Sequence, residues 1–159
     1  MENTNSIFAI TQNTKAIITN QSDYFKTVIL EGKYKHYSTH RAEKILDVNC
    51  IHFGSSLTGR RTAVRNLFKI YNKIPVSVNP LQGVYMMPTS SVKSKDCVWL
   101  SYYHIDYYVQ QDNQTYVVFM DGSGLLVNVS INSLDMQYKR TSQIIARLNR
   151  PIFFSSTNK

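Results

Sequence analysis

Short runs of β-branched and aromatic residues, separated by polar turn residues, recur along most of this chain. Such runs are typical of strands, because branched and aromatic side chains fit a pleated, half-buried surface. The segment Asp-Gly-Ser-Gly at 121–124 predicts a tight hairpin between the last two strands. The predicted strands are residues 8–10, 16–18, 25–30, 34–37, 76–78, 84–87, 98–109, 116–120 and 125–129.

Three segments have the spacing or the capping residues of helices. The first begins at Thr39 and ends near residue 46. The second begins at Ser55 or Ser56 and ends near Lys69. Its predicted buried face consists of Val64, Leu67, Phe68 and Tyr71.

The third helical segment spans about 132–149, and Pro151 is expected to end it. Strands outnumber helices, their order is mixed, and no internal repeat is visible. The sequence therefore predicts a single α+β domain over residues 1–159, with an antiparallel β-sheet and two or three packed helices.

The charges are sorted along the chain. Residues 48–95 contain seven Lys or Arg and no Asp or Glu, whereas residues 96–135 contain five Asp and no Lys or Arg. Soluble surfaces usually intersperse the two signs, so a long acid-free stretch indicates a surface that faces a polyanion. We interpret 48–95 as a nucleic-acid contact block and assign 96–135 to the core and to protein contacts.

Arg61, Arg65 and Lys69 lie four residues apart in the second predicted helix, and Lys73 continues the stripe if the helix persists. A solvated helix face is the alternative interpretation. Cations at this spacing repel one another unless an anion is present, and the block supplies no acid to pair with them. The stripe therefore favours contact with nucleic acid.

Gly54 and Gly59 have the G-x-x-x-x-G spacing of a phosphate loop, but Arg60 and Arg61 occupy the positions of its Lys and Ser/Thr. This substitution argues against nucleotide hydrolysis. Free backbone N–H groups at a helix N-terminus containing Ser55 and Ser56 would suit a phosphate of the DNA backbone.

Metal and catalytic sites have weak support. Cys50, His52, Cys97 and His104 lack the common zinc-ligand spacings, and a buried Cys in a strand is the alternative. His104 and Asp106 would share a strand face, which suits a general base, but the sequence has no second acidic cluster for a nuclease. We predict no catalytic residue, metal, cofactor, disulfide or small-molecule substrate.

The aromatic residues admit a second interpretation. Tyr102, Tyr103, Tyr107 and Tyr108 could form a stacking platform for RNA or single-stranded DNA. They lie in the acidic segment, however, and this favours duplex DNA as the partner. The chain has only two cysteines, and it has neither an apolar run of membrane-spanning length nor a visible secretory signal. These features predict a cytoplasmic protein without a membrane partner.

Four motifs together resemble those of the competence transcription factor (ComK) family. They are Cys-x-His-Phe-Gly-Ser-Ser-x-x-Gly-Arg-Arg at 50–61, Lys-x-Pro-Val at 73–76, Tyr-Met-Met-Pro-Thr at 85–89 and Cys-Val-Trp-Leu-Ser-x-x-His-Ile at 97–105. The matching order continues through the Asp-Gly-x-Gly hairpin to the last helix.

The resemblance implies a nucleoid-associated activator of DNA-uptake genes in Gram-positive bacteria. Members of the family bind paired A/T-rich boxes, largely through the minor groove, as dimers or higher assemblies. They are also controlled by an adaptor and an ATP-dependent protease, although the longer members carry an extended tail where this chain has residues 152–159. The residues expected to bind DNA here are Ser55, Ser56, Arg60, Arg61, Arg65, Lys69 and Lys73.

Arginine suits this mode of binding, because A·T tracts have a narrow minor groove with enhanced negative potential. A short basic helix contacts few base pairs, so we also expect a homo-oligomer on DNA. Self-association is expected through 96–135 or the last helix. This helix has apolar positions, Met136 and Ile144 among them, beyond those that one packing face uses.

Overall fold

The computed structural model describes residues 6–150 and has an α+β fold, as the sequence predicts. Within this range, nine strands form two antiparallel sheets and three α-helices pack against them. The helices are α1 (Ala42–His52), α2 (Leu57–Phe68) and α3 (Ile131–Leu148). None of these helices is both long and apolar enough to cross a membrane.

The large sheet has six strands in the order β3-β2-β1-β6-β5-β4. Each pair of neighbouring strands in this sheet is antiparallel. Its strands are β1 (Thr14–Thr19), β2 (Thr27–Glu31), β3 (Tyr34–Ser38), β4 (Val76–Asn79), β5 (Val84–Pro88) and β6 (Val98–Ser101).

The small sheet has three strands in the order β7-β8-β9. They are β7 (Ile105–Gln111), β8 (Gln114–Phe119) and β9 (Gly124–Val127). The predicted hairpin at 121–124 connects β8 and β9, and Gly122 adopts a φ of 87° there, which a residue with a side chain rarely adopts.

The large sheet is buried on both faces. Ile17, Met86 and Trp99 pack with α1 and with Leu57 of α2 on one side. Their neighbours Ala16, Met87 and Leu100 point to the opposite side, as alternation along a strand requires, and pack with the small sheet and α3. The large sheet is therefore the middle layer of the molecule.

The predicted strand 98–109 is wrong as a single element. It is divided by a 3-10 turn at Tyr102–His104, so β6 belongs to the large sheet and β7 to the small sheet. Tyr102 stacks on Tyr138 of α3, with ring centroids 4.9 Å apart, and its hydroxyl forms a 2.6 Å hydrogen bond with Ser142. The predicted common face is also wrong, because Trp99 and Ile105 are buried whereas Tyr107 and Val109 are exposed, and the contacts at the bend come from a helix distant in the sequence.

The first predicted strand and the first predicted helix also need correction. Residues 8–10 do not form a strand, because the side chain of Asn49 takes the place of a neighbouring strand. Asn49 Oδ1 accepts from Ile10 N–H at 2.9 Å and its Nδ2 donates to Phe8 O at 2.8 Å. Asn49 belongs to α1, which begins after Arg41 rather than after Thr39 and extends past residue 46 to His52.

A partly buried ion pair connects the two sheets. Lys15 of β1 is 5% exposed, and its Nζ lies 2.9 Å from Asp121 Oδ2 and 2.8 Å from Ser123 Oγ. Hydrogen bonds from Ser123 and Lys15 hold the pKa of Asp121 well below its usual range. Because this pKa is lower in the folded state, the pair stabilises the fold above the pKa of an unfolded Asp, and the contribution is lost as the pH falls toward the folded pKa.

We expect Asp121→Ala to lower the free energy of unfolding by about 2 kcal/mol, because a buried Lys15 loses its counter-charge while much of the site stays open to water. The acid-induced loss of stability below about pH 4 should also become shallower. Denaturant unfolding measured against pH checks both effects. In Lys15→Met/Asp121→Ala most of the stability should return, and a double variant as unstable as Asp121→Ala would contradict the ion-pair explanation.

Candidate nucleic-acid interface

Helix α2 begins at Leu57 and is capped by Ser56, whose Oγ accepts from the N–H of Gly59 at 2.9 Å. A side chain at position 59 would lie 2.7 Å from Ser55 Oγ, so glycine allows the two serines to fold against the helix start. The helix ends at Phe68, and Lys69 follows with a φ of 58°. These bounds agree with the predicted second helix.

The N-terminus of α2 is already occupied by protein groups. Asp47 of α1 accepts the N–H of Leu57 at 3.0 Å, and Ser56 accepts that of Gly59. The N–H groups of Leu57 and Gly59 are therefore not free for a phosphate, and the expected phosphate contact at this helix start stays a prediction. Asp47 lies just before the acid-free block, so the sequence of the block alone does not reveal it.

Arg60 turns away from the other basic residues of α2. Its Nη2 donates to Phe53 O at 3.1 Å, and this bond closes the turn between α1 and α2. Ser55, Ser56 and Arg60 are thus placed together at the start of α2, where they support the local structure.

Arg61 and Arg65 instead line a cleft of about 470 Å³, together with Tyr71, Lys73, Ser91 and Lys93. We call this the first cleft. No Asp or Glu is among its described lining residues. Arg61 forms a salt bridge of 3.3 Å with Glu43, whereas Arg65 is exposed and has no hydrogen bond or ion pair to the described chain through its side chain.

The predicted stripe and buried face of α2 are only partly correct. Because the helix ends at Phe68, Lys69 lies outside the first cleft and Lys73 reaches it from the following turn. Val64 is buried, but Leu67 is 47% exposed and Tyr71, beyond the helix end, is 66% exposed. The exposure of Tyr71 places an aromatic ring beside the basic residues.

Helix α3 fixes the turn that carries Tyr71 and Lys73. Gln137 is 2% exposed, and its Nε2 donates to Lys73 O and to Pro88 O at 2.8 Å each. Arg140 Nη2 donates to Asn72 O at 3.0 Å and to Lys73 O at 2.6 Å. Lys73 has a φ of 47°, a strained conformation that persists where surrounding contacts determine it.

Sequence reasoning assigned no role to Gln137 or Arg140. A usable signal was present, because Gln137 falls on the stripe of α3 that Leu134, Thr141 and Ile144 define as buried. A polar residue on such a stripe indicates a buried hydrogen bond. Burial also lowers the pKa of Arg140, so this cation acts within the protein rather than as a free surface charge.

The residues considered for metal binding or catalysis lie apart. Among residues 6–150, no group of three His, Cys, Asp or Glu could hold a metal ion. Cys50 and Cys97 are buried free thiols, and burial raises the pKa of Cys50 to about 11. His104 lies in the 3-10 turn and bonds to Gln12 O, while Asp106 is exposed on β7, so the predicted shared strand face is wrong.

Two of the four tyrosines in the acidic segment are used in packing. Tyr102 stacks on Tyr138, and Tyr108 donates its hydroxyl to Asp135 at 2.6 Å. Burial and the bond to Asp135 raise the pKa of Tyr108. Tyr103 and Tyr107 are exposed, so the four rings do not form one platform.

Comparison with known proteins identifies the family. The ComK protein family model matches residues 5–152, and the chain belongs to this family. The Competence transcription factor of Bacillus subtilis (strain 168) is 30% identical over 115 residues, which cover 72% of this chain and 60% of that protein. The chain thus matches less than two thirds of the length of this relative. No solved structure matches significantly.

We expect Arg140→Ala to weaken binding to duplex DNA by about tenfold without changing the salt slope, because Arg140 positions the turn at 71–73 rather than contacting phosphate. The affinity is to be measured at several salt concentrations. Arg65→Ala is the matched control and should lower both the affinity and the slope. A lower slope in Arg140→Ala would contradict a positioning role.

Proposed function

We propose that this protein is a DNA-binding transcriptional activator of competence genes that recognises A/T-rich duplex boxes, largely through the minor groove. The observation that carries the proposal is the first cleft, where Arg61, Arg65, Lys73 and Lys93 meet without a carboxylate among the described lining residues. Membership of the ComK family supports the regulatory role.

The cations of the first cleft suit the backbone of a duplex. Arg65 is free to bind phosphate, and the exposed bridge between Arg61 and Glu43 is worth only about 0–1 kcal/mol, so a phosphate can replace Glu43. We therefore assign direct DNA contact to Arg61, Arg65 and Lys73 in the first cleft, and Lys69, which lies outside it, is retained as a contact at the end of α2 on the sequence prediction alone. Ser55, Ser56 and Arg60 belong to the proposed site as supports of the helix start.

We propose a binding function without catalysis. A nuclease would need an acid–base or metal group near the nucleic acid, and the first cleft has only cations, amides, hydroxyls and apolar groups among its described lining residues. DNA as the partner implies a cytoplasmic, nucleoid-associated location. Control by an adaptor and a protease is inferred from family membership alone.

Binding of RNA or single-stranded DNA is the second candidate. The observation that favours it is Tyr71, which is 66% exposed and lines the first cleft beside Arg65 and Lys73. Exposed aromatic rings next to cations stack unpaired bases. A stacking role predicts a large loss of affinity for single strands in Tyr71→Ala and little change for duplex.

We expect the protein to bind A/T-rich duplex more tightly than G/C-rich duplex or single-stranded RNA at one fixed salt concentration. Arg61→Ala and Arg65→Ala should each lower the magnitude of the salt slope by about 0.9, the value for one lost phosphate contact. If either residue reads the narrow groove, its variant should also lose A/T preference.

Lys44→Ala is the control, since Lys44 is exposed on α1 and lines neither the first cleft nor its rim. Equal affinity for A/T-rich and G/C-rich duplexes in the unmodified protein, or cleavage of either, would contradict the proposed function.

We also propose that the protein forms a homo-oligomer on DNA through the outer face of the small sheet. Tyr107, Val109 and Leu126 are 53%, 45% and 40% exposed, and the strand register places them on the face opposite Val117 and Val127. Ile144 cannot contribute as expected, because it is buried against Val64 and Ile74, whereas Met136 is exposed.

We expect light scattering on a two-box duplex to show two or more protomers that bind one DNA cooperatively, and we expect the protomers of Val109→Asp/Leu126→Asp to bind the two boxes independently, with no more than one protomer per box. The carboxylates would be buried at the interface without partners. Lys33→Asp/Lys35→Asp, in the exposed turn before β3 and on β3 itself, is the control for added acid. One protomer per two-box duplex at saturation in the unmodified protein would contradict the proposal.

A further inference from the structure

A second basic cleft lies next to the first. It has a volume of about 560 Å³ and is lined by four cations, Lys26, Arg41, Lys93 and Lys95. Within residues 6–150, the side chains of these four cations form no salt bridge or hydrogen bond. Two carboxylates, Asp23 and Glu43, also line it, so the four cations exceed the acids by two.

The two clefts share one wall. Val92 and Lys93 line both of them, so residues 91–95 form a ridge that separates the clefts. We call this segment the ridge loop. It connects β5 to β6, and it brings Lys93 and Lys95 to the surface, where both are exposed.

Hydrogen bonds hold the ridge loop in shape. Ser94 N–H donates to Ser91 O at 2.9 Å, and Cys97 N–H donates to Ser94 O at 3.2 Å. Asp96 N–H donates to Ser94 Oγ at 3.1 Å, and the Asp96 carboxylate accepts from Asn128 Nδ2 at 3.0 Å. Asp96, which follows the loop, is thus held by Asn128, the residue after β9, and the loop that carries the two lysines is held by these hydrogen bonds.

Cations on both sides of the ridge loop are the arrangement that contact with the two phosphate strands bordering one groove of a duplex requires. A single strand would need only one continuous basic track. A duplex presents two parallel rows of charge with a groove between them, and the minor groove is about 6 Å wide.

We propose that the second cleft binds the phosphates of the opposite DNA strand while the ridge loop faces the groove between the strands. This inference rests on the proposed function and adds Lys26, Arg41, Lys93 and Lys95 to the DNA contacts. Lys93 lines both clefts and is therefore assigned to both strands.

The first test compares two double variants that remove the same charge. Lys26→Ala/Arg41→Ala acts in the second cleft, whereas Lys33→Ala/Lys35→Ala acts in the turn before β3 and on β3, outside both clefts. On an A/T-rich duplex the first variant should lower the magnitude of the salt slope by about 1.8, for two lost contacts, and the control should leave it near that of the unmodified protein. Thermal unfolding verifies that both variants fold.

The second test assigns each cleft to a strand. Methylphosphonate groups remove the charge of chosen phosphates on one strand at a time. Neutralising one strand should weaken the unmodified protein but not further weaken Lys26→Ala/Arg41→Ala, and neutralising the other strand should show the same coupling with Arg65→Ala. Lys93→Ala should couple to both strands.

The outcomes separate this inference from the proposed function. If the unmodified protein did not bind duplex DNA, both this inference and the proposed function would be overturned. Duplex binding with equal salt slopes in the two double variants would overturn the second cleft alone. Coupling of both clefts to the same strand would overturn the two-strand arrangement and leave a single extended contact.

Discussion

A buried amide, Gln137, connects the parts from which the basic surface is built. Its Nε2 bonds to the carbonyls of Lys73 and Pro88, so one side chain of α3 reaches both the turn after α2 and the end of β5. The turn after α2 carries Tyr71 and Lys73, and the end of β5 leads into the ridge loop. Leaving the buried Pro88 carbonyl without this donor costs about 1–3 kcal/mol, which explains why a polar residue lies on this buried helix stripe, while the Lys73 carbonyl also accepts from Arg140.

The separation of charges along the chain corresponds to a separation in space. Part of the acid-free block is buried, since every residue of β4 and β5 is buried. Its cations therefore come from α2, the turn at 69–73 and the ridge loop, and Arg61, Arg65, Lys73 and Lys93 meet in the first cleft. The acids at 106 and 112 lie on or beside β7 in the small sheet. The first cleft has no carboxylate among its described lining residues because all of these residues come from the acid-free block.

Local signals predicted the elements whose structure depends on nearby residues. The serine cap of α2, the hairpin at 121–124 and the helix after Ser130 all depend on contacts within a few residues. The features that were not predicted depend on contacts between residues farther apart in the sequence. The bend at Tyr102–His104 depends on Tyr138 and Ser142, and the role of Arg60 depends on the carbonyl of Phe53. The grouping of Arg61 with Lys93 depends on how the large sheet places the ridge loop beside α2, which no helical spacing could indicate.

Amide hydrogen exchange with and without an A/T-rich duplex tests the central claim most directly, because it reports on the backbone of the whole chain at once. The account predicts slower exchange at residues 69–74 and 91–95 when the duplex is bound, with β3 unchanged as an internal reference. Saturated duplex binding without slower exchange in either segment would contradict it.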